Sequence, residues 1–326
     1  MKAYVALPTD RVDLETEFVS AEGVAAIARA AEAAGFDGVY STEHPFPDDD
    51  WLASGGHQAL DPFVGLSFAA AATTRLRVLT NLCVLPYRNP FLAARAAASL
   101  DVLSGGRLDL GVGAGYLEGE FRALGVDFEH RNDRFDEAIA AITAAWSGES
   151  VRFAGDGFEA RGNTMRPVPV QRPRPPVWVG GNSGRALRRA ARFGDGWLPM
   201  PNPRALGNRR HSAHLEDLDD LRRLFARLED ERATVRRDGV GLAGRRSSFD
   251  VFVYPMVPSI PGSTGFSPDE LVEHAHEVSR LGVTGFIVGL PAPSRRAYEE
   301  ELAAYGEAVL PLLRGVDAID TGTDDE

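Results

Sequence analysis

A histidine and a glutamate stand side by side where a short apolar segment of the chain ends. The segment "DGVYST" is followed directly by Glu43 and His44. Histidine exchanges protons near neutral pH more readily than other side chains, and an adjacent carboxylate can assist it. We therefore predict His44 as a general acid/base and Glu43 as a second catalytic residue. A purely structural histidine is the alternative that this pattern leaves open.

The stretch "VWVGGNSGRALRRA", residues 177–190, indicates a place for an anion. Gly180 and Gly181 remove Cβ atoms where a strand turns, and Asn182 and Ser183 are favoured at the start of a helix. The helix that follows directs unpaired N–H groups toward this loop, where they favour a negative charge. An ordinary glycine turn with a capping residue explains the pattern equally well. The stretch is not a Walker loop, because the Gly-Lys-Ser/Thr sequence is missing.

A second glycine-rich stretch, "GVGAGY" at residues 111–116, follows the fourth apolar segment. A dinucleotide fingerprint needs the spacing G-x-G-x-x-G after the first strand, so this stretch does not indicate one. Glycines at the end of a strand let a ligand or a neighbouring backbone come close. We favour approach by a ligand, because ligands bind at the carboxyl ends of parallel strands.

Other kinds of catalytic site find no support in the sequence. The only cysteine, Cys83, lies in the apolar run "LTNLCVLP", which favours a small buried side chain over a nucleophile. Lys2 is the only lysine, so the body of the chain offers no Schiff base. The sequence has no H-E-x-x-H motif, no G-x-S-x-G motif and no cluster of cysteine with histidine. We therefore predict neither a metal site nor a serine hydrolase.

Eight short apolar segments alternate with helical segments and must position these residues. They read "AYVALP", "DGVYST", "RLRVLTNLCVL", "GRLDLGVGAG", "PPVWVGG", "DGWLPM", "FDVFVYPMV" and "TGFIVGL". This alternation is typical of parallel strands covered by helices, and for 326 residues it predicts a single (β/α)8 TIM barrel. A doubly wound open sheet is the alternative. We assign residues 1–315 to the barrel and residues 316–326 to an acidic, disordered tail.

Three longer irregular segments interrupt the alternation, at residues 42–60, 148–174 and 255–267. We expect them as insertions at the carboxyl-terminal face of the barrel, where they would select the substrate. Phe46, Trp51 and His57 in the first segment offer an aromatic lining, which favours an apolar or aromatic small molecule.

The charge and hydropathy of the chain exclude several classes of partner. The net charge of −12 at pH 7 makes the surface repel nucleic acids and anionic membranes. No apolar stretch approaches the roughly 20 residues of a membrane span, and the first apolar run is too short for a signal peptide. We therefore predict a cytoplasmic protein that binds neither nucleic acid nor membranes and acts on a small-molecule substrate.

Taken together, these motifs resemble those of the bacterial luciferase-like family of flavin or deazaflavin oxidoreductases. The resemblance is carried by "AAEAAGFDGVYSTEH", "LPYRNPFLAARAAASLDVLSGGRLDLGVGAGYLEGEFRALGV" and "PPVWVGGNSGRALRRAARFGDGWLP". These blocks occur in the family's order and spacing and cover most of residues 1–201. The resemblance implies a (β/α)8 barrel, in agreement with the strand count, and a homodimer.

Within this family, "GGNSGRALRRAARFGDGW" is more similar to the branch that uses the deazaflavin coenzyme F420. The resemblance implies an oxidoreductase that transfers a hydride between F420 and a small organic substrate, with His44 in proton transfer beside the ring. A two-component monooxygenase dependent on reduced FMN, with a separate flavin-reducing enzyme, is the alternative. A barrel that binds a flavin without catalysis is a third possibility.

The resemblance also assigns residues to the cofactor. It implies a non-proline cis peptide bond between Asn81 and Leu82, against which the ring would lie. Gly113 stands where luciferase carries a reactive cysteine, and Arg131 is implied to contact a phosphate. The segment that the family places beside the ribityl chain and phosphate corresponds to Gly180, Gly181, Asn182 and Ser183.

Overall fold

Eight parallel strands close into a barrel in the computed structural model, which describes residues 1–206, 212–238 and 248–316. The described strands are β1 (Lys2–Ala6), β2 (Gly38–Ser41), β3 (Arg77–Thr80), β4 (Cys83–Val84), β5 (Leu108–Gly113), β6 (Val151–Gly155), β7 (Phe158–Asn163), β8 (Val177–Gly180), β9 (Gly196–Leu198), β10 (Asp250–Val253) and β11 (Gly285–Val288). β4 is a short extension that pairs with β5. β6 and β7 form a separate antiparallel hairpin, so the other eight strands build the barrel.

The barrel is closed by parallel pairing around its whole circumference. β1 pairs with both β2 and β11, and β3 pairs with both β2 and β5. The remaining pairs join β5, β8, β9, β10 and β11 in this order. Because no barrel strand is left at an edge, the structure confirms the predicted (β/α)8 barrel and excludes the open doubly wound sheet.

Helices surround the strands. The described α-helices are α1 (Glu15–Phe18), α2 (Ala21–Ala34), α3 (Asp49–Ala53), α4 (Pro62–Ala72), α5 (Pro90–Leu103), α6 (Glu118–Ala123), α7 (Arg131–Ala145), α8 (Gly184–Phe193), α9 (Leu218–Asp238), α10 (Pro268–Leu281), α11 (Arg295–Ala308) and α12 (Leu310–Arg314). Asp61 caps α4 by accepting a hydrogen bond from the Phe63 backbone N–H at 2.9 Å, and Pro62 occupies the first turn. Gly35 ends α2 with a φ of 94°, a left-handed conformation that suits glycine.

Aromatic rings fill the inside of the barrel. The rings of Trp178 and Phe252 stack with their centroids 4.7 Å apart, and Tyr4 meets Phe252 edge-on at 4.8 Å. Gly285 on a neighbouring strand leaves room for these rings, since a Cβ added there would lie 2.5 Å from Phe252. The filled interior leaves the carboxyl ends of the strands as the place where a site can form.

Two expectations about the loops and strands are wrong. The predicted third strand is broken into β3 and β4 at residues 81–82. Residues 148–174 lead from the end of α7 to the start of β8, and their hairpin packs on the outside of the barrel against the first turns of α5 and α7 instead of lining the carboxyl-terminal face. Gln171 holds the end of this segment by donating a hydrogen bond to the Leu108 carbonyl oxygen, at the beginning of β5, at 2.6 Å.

Residues 317–326 of the predicted acidic tail lie outside the described residues. Across the three described ranges, no helix is both long enough and apolar enough to cross a membrane.

Candidate active site

A cavity of about 580 Å³ opens at the carboxyl ends of the barrel strands. Its walls come from loops and strand ends all around the barrel. The sequence-predicted residues that the structure brings together in these walls are Glu43, His44, Asn81, Leu82, Gly113, Arg131, Gly180, Gly181, Asn182 and Ser183. The segment 42–60 contributes to the lining, whereas residues 148–174 and 255–267 contribute nothing.

His44 lies just beyond the end of β2 and is only 9% exposed. Its Nδ1 is 3.4 Å from the Glu120 carboxylate, and its ring centroid is 4.5 Å from that of Trp51 and 4.8 Å from that of His57. Trp51 and His57 belong to the loop that was expected to supply an aromatic lining. With Nδ1 directed at a carboxylate, Nε2 is the ring nitrogen left to exchange a proton with a bound molecule.

Glu120 is the residue that the sequence reasoning missed. It comes from α6, is 1% exposed and has both carboxylate oxygens in use. The Tyr87 hydroxyl donates to Oε2 at 2.7 Å, and the Phe46 backbone N–H donates to Oε1 at 3.3 Å. Burial, together with this hydrogen bond to Glu120, raises the pKa of Tyr87, which therefore stays a donor. The signal was present in the "GEF" sequence that follows "GVGAGY", but it was given no role.

Glu43 does not act as the partner of His44 in this structure. Its carboxylate accepts a hydrogen bond from the Val84 backbone N–H at 2.6 Å and forms an ion pair with Arg88. Burial raises the pKa of Glu43, and the Arg88 guanidinium opposes this rise. Successive side chains of an extended segment point to opposite sides, so the residue next to His44 in sequence faces β4 instead.

Leu82 forms the wall between the two glycine-rich stretches. The Asn81–Leu82 peptide bond is cis, as the family resemblance implied. A Cβ added at Gly180 would lie 2.2 Å from Leu82 Cδ1, and one added at Gly113 would lie 2.9 Å from the same atom. At Gly111 the added Cβ would meet the Thr80 carbonyl oxygen at 2.0 Å. At Gly111 and Gly113 the protein itself takes the space of a side chain, whereas the end of "GVGAGY", from Gly113 to Tyr116, lines the cavity that a ligand would enter.

The loop from Gly180 to Ser183 is held firmly by its own polar groups. The Asn182 side chain accepts from the Met200 N–H at 2.9 Å and donates to the Met200 carbonyl oxygen at 2.7 Å. The Ser183 hydroxyl caps α8 by accepting from the Ala186 N–H at 3.1 Å. Gly181 has a φ of 101°, and a Cβ added there would meet only the Ala186 Cβ, at 3.5 Å. The Gly181 N–H donates to the Leu198 carbonyl oxygen at 3.1 Å and the Asn182 N–H to Ser212 Oγ at 2.9 Å, so the loop offers a ligand the space beside Gly181 and the N–H groups at the start of α8.

Among the described residues, three arginines line the cavity, all from α7 and α8. Arg189 is bound to Asp136 at 2.6 Å, and Arg185 to Asp133 at 2.8 Å. Arg131 has no carboxylate within ion-pair distance among the described residues. Its guanidinium lies 3.7 Å above the Phe128 ring, and Nη1 donates to the Phe128 carbonyl oxygen at 2.7 Å. Arg131 is therefore the lining cation best able to accept an anionic ligand.

Cys83 is fully buried, as the apolar run around it indicated. Burial raises its pKa, and the thiol is therefore a poor nucleophile. Within the described residues, no group of three histidine, cysteine, aspartate or glutamate side chains is placed to hold a metal ion.

A flavin-like molecule with an anionic tail fits this cavity. The volume lies within the ~300–1,000 Å³ typical of small-molecule sites. The start of α8 and Arg131 suit a phosphate, and Gly181 leaves space for it beside the backbone. His44 lies at the end of β2, so a proton-exchanging side chain is available elsewhere in the same cavity.

Comparison with known proteins decides the family. Residues 1–238 match the family model described as luciferase-like monooxygenase. The chain belongs to this family. Its luciferase-like relatives are oxidoreductases that depend either on F420 or on reduced flavin, and the chain is an oxidoreductase of this kind.

Relatives of the luciferase-like chain include users of both cofactors. It is 32% identical to an F420-dependent glucose-6-phosphate dehydrogenase of Beutenbergia cavernae over 87% of this chain and 91% of that protein. It is also 32% identical to an FMNH2-dependent dimethylsulfone monooxygenase of Pseudomonas putida, over 54% of this chain and 48% of that protein. Among solved structures, the F420-dependent tetrahydromethanopterin reductase of Methanopyrus kandleri shares the fold with a TM-score of 0.69 and 17% identity, covering 95% and 98% of the two chains.

Proposed function

We propose that the protein is an F420-dependent oxidoreductase that transfers a hydride between the deazaflavin and a small organic substrate, with His44 as general acid/base. The observation that carries this proposal is the orientation of His44. Its Nδ1 is directed at a buried carboxylate, its ring is packed against Trp51, and it lines the cavity. A histidine oriented in this way can accept or deliver a proton at Nε2.

Residues on two sides of the cavity would hold the cofactor. Leu82, backed by Gly113 and Gly180, offers an apolar surface for the ring. The N–H groups at the start of α8, together with Arg131, would bind the phosphate. Bound F420 supplies the hydride acceptor or donor. Glu120 orients the His44 ring, and Tyr87 and the Phe46 backbone N–H hold Glu120 in place.

The breadth of similarity favours F420 over FMN. The F420-dependent relative matches along 87% of this chain, whereas the FMNH2-dependent relative matches along 54%. A monooxygenase that uses reduced FMN, supplied by a separate reductase, is the second candidate and uses the same cavity.

Fluorescence titration of the whole protein with F420 and with FMN tests the cofactor. We expect saturable F420 binding and much weaker FMN binding, and the reverse order supports the monooxygenase instead. The role of His44 is tested with His44→Ala, which should bind F420 like the wild type and lose turnover by about 10²–10⁴-fold. Unchanged turnover removes His44 from the mechanism.

A further inference from the structure

The charged residues that line the cavity are divided between two sides of the barrel. The three lining arginines are on α7 and α8, which follow β5 and β8. In the order of strands around the barrel, β5 and β8 lie across from β1 and β11. Within the described part of the lining, the side formed by β1, β2 and β10 contributes no arginine or lysine.

Two carboxylates line this second side, Glu43 after β2 and Asp10 in the loop after β1, and Glu43 is already paired with Arg88. Asp10 is half-buried. No hydrogen bond or ion pair to its carboxylate occurs among the described residues. The nearest arginine in sequence, Arg11, is bound to Asp13 and to the Ala292 carbonyl oxygen. Asp10 therefore keeps its hydrogen-bonding capacity for a bound molecule.

The tyrosines beside Asp10 already have partners. The Asn81 side chain donates to the Tyr254 hydroxyl at 3.2 Å, and the Tyr40 hydroxyl donates to the Val288 carbonyl oxygen at 3.3 Å. Burial raises the pKa of Tyr40. The neighbouring Tyr254 adds to this rise, and Asp10 has a smaller effect in the same direction. Tyr40 is thus a neutral wall group, and Asp10 is the carboxylate on this wall that has no partner among the described residues.

We propose that the Asp10 side of the cavity is the substrate subsite, and that Asp10 selects an uncharged, hydroxyl-bearing substrate by accepting a hydrogen bond from one of its hydroxyls. A phosphorylated or carboxylated compound is rejected there, because its charge would face Asp10 with no cation on the same wall. This inference rests on the proposed function and names its substrate class.

The reaction of such a substrate balances with oxidised F420. With F420 bound, the carbinol C–H bond would break and its electron pair would pass as hydride to the deazaflavin. The proton of the reacting hydroxyl would pass to Nε2 of His44 as the carbon–oxygen double bond forms, while a second hydroxyl donates to Asp10. The alcohol is oxidised by two electrons, F420 is reduced by two, and the reverse reaction uses the same groups.

The test compares neutral alcohols with their anionic counterparts on the same F420-loaded protein. Glucose against glucose 6-phosphate is one pair, and vicinal diols against dihydroxy acids of similar size are others. F420 binding is measured first, so its failure overturns the proposed function rather than the subsite. With F420 bound, we expect turnover of neutral members and at least ten-fold lower kcat/KM for anionic ones. A preference for the anionic members, or no turnover of any neutral alcohol, overturns the inference.

Two variants assign the selectivity to Asp10. Asp10→Asn should raise KM for the neutral alcohol about ten-fold or more and leave F420 affinity unchanged. It should also reduce the difference in kcat/KM between the neutral alcohol and its anionic counterpart. Asp219→Asn is the matched control, since it removes the same charge from an exposed carboxylate on α9 that is bound to Arg222. If Asp10→Asn behaves like Asp219→Asn in KM and in selectivity, Asp10 does not select the substrate.

Discussion

Exchanging each of two buried carboxylates for an amide separates the residue that supports the fold from the residue that supports His44. Glu43 is bound to Arg88 and to the Val84 N–H, whereas Glu120 faces His44. Glu43→Gln keeps an acceptor for the Val84 N–H but loses the charge that pairs with Arg88. Hydrogen bonds to charged groups contribute about 1.5–3 kcal/mol. Because Arg88 is 21% exposed, solvent screens the ion pair, and the expected loss in the free energy of unfolding lies in the lower half of this range.

We therefore expect Glu43→Gln to lower the free energy of unfolding by about 1.5–2 kcal/mol and the melting temperature by roughly 2–3 °C. Its turnover per folded molecule should stay within about three-fold of the wild type, a difference of less than 1 kcal/mol. Glu120→Gln should bind F420 normally and lose about 10²-fold or more in kcat, because the His44 imidazolium loses its anionic partner. Thermal melts, F420 titration and steady-state rates measure these effects. The opposite pattern, with kcat lost in Glu43→Gln and kept in Glu120→Gln, refutes the reasoning.

Three further predictions follow from single contacts. Gly180→Ala should destabilise the fold by about 1–3 kcal/mol because its Cβ would overlap Leu82, and Leu82→Ala in the same chain should restore most of the loss in a thermal melt. Burial lowers the pKa of His274, whose Nε2 accepts from the Met256 N–H, so the unfolded chain takes up the proton first as the pH falls. Stability should therefore decrease below about pH 6.5, and His274→Gln should show a smaller difference in melting temperature between about pH 7.5 and about pH 5.5. Phe158→Ala, in the hairpin that packs outside the barrel against Phe91, should lower the melting temperature and leave the F420 dissociation constant unchanged; a weaker affinity would assign the hairpin a role in the site.

The barrel could be predicted from the sequence because each strand is a short apolar run followed by a helix, a local and repeated pattern. His44 could be predicted for a related reason, since a polar side chain directly after an apolar strand has only the carboxyl-terminal face to occupy. The turn at Gly180 and Gly181 could be predicted in the same way, because it follows an apolar strand. The sequence did not tell whether a ligand or Leu82 fills the space beside these glycines.

Contacts between distant parts of the chain could not be predicted. Glu120 reaches His44 across 76 positions of sequence, from a helix that no local pattern connects to β2. Glu43 was chosen instead because it is adjacent in sequence, yet adjacent side chains of an extended segment diverge. Asp10 went unnoticed because a lone aspartate in a loop has no signature until the barrel closes and places it opposite the arginines.

Following the hydride itself distinguishes F420-dependent hydride transfer from an oxygen-dependent reaction. Reduced F420 carrying deuterium on its hydride-donating carbon, or an alcohol labelled at its carbinol carbon, is used with the whole protein while dissolved oxygen is monitored. If the protein transfers a hydride between F420 and its substrate, the deuterium passes between the two with no oxygen consumed. His44→Ala should suppress this transfer while F420 remains bound. Oxygen uptake with reduced FMN, together with a product that contains an atom from molecular oxygen, would contradict F420-dependent hydride transfer.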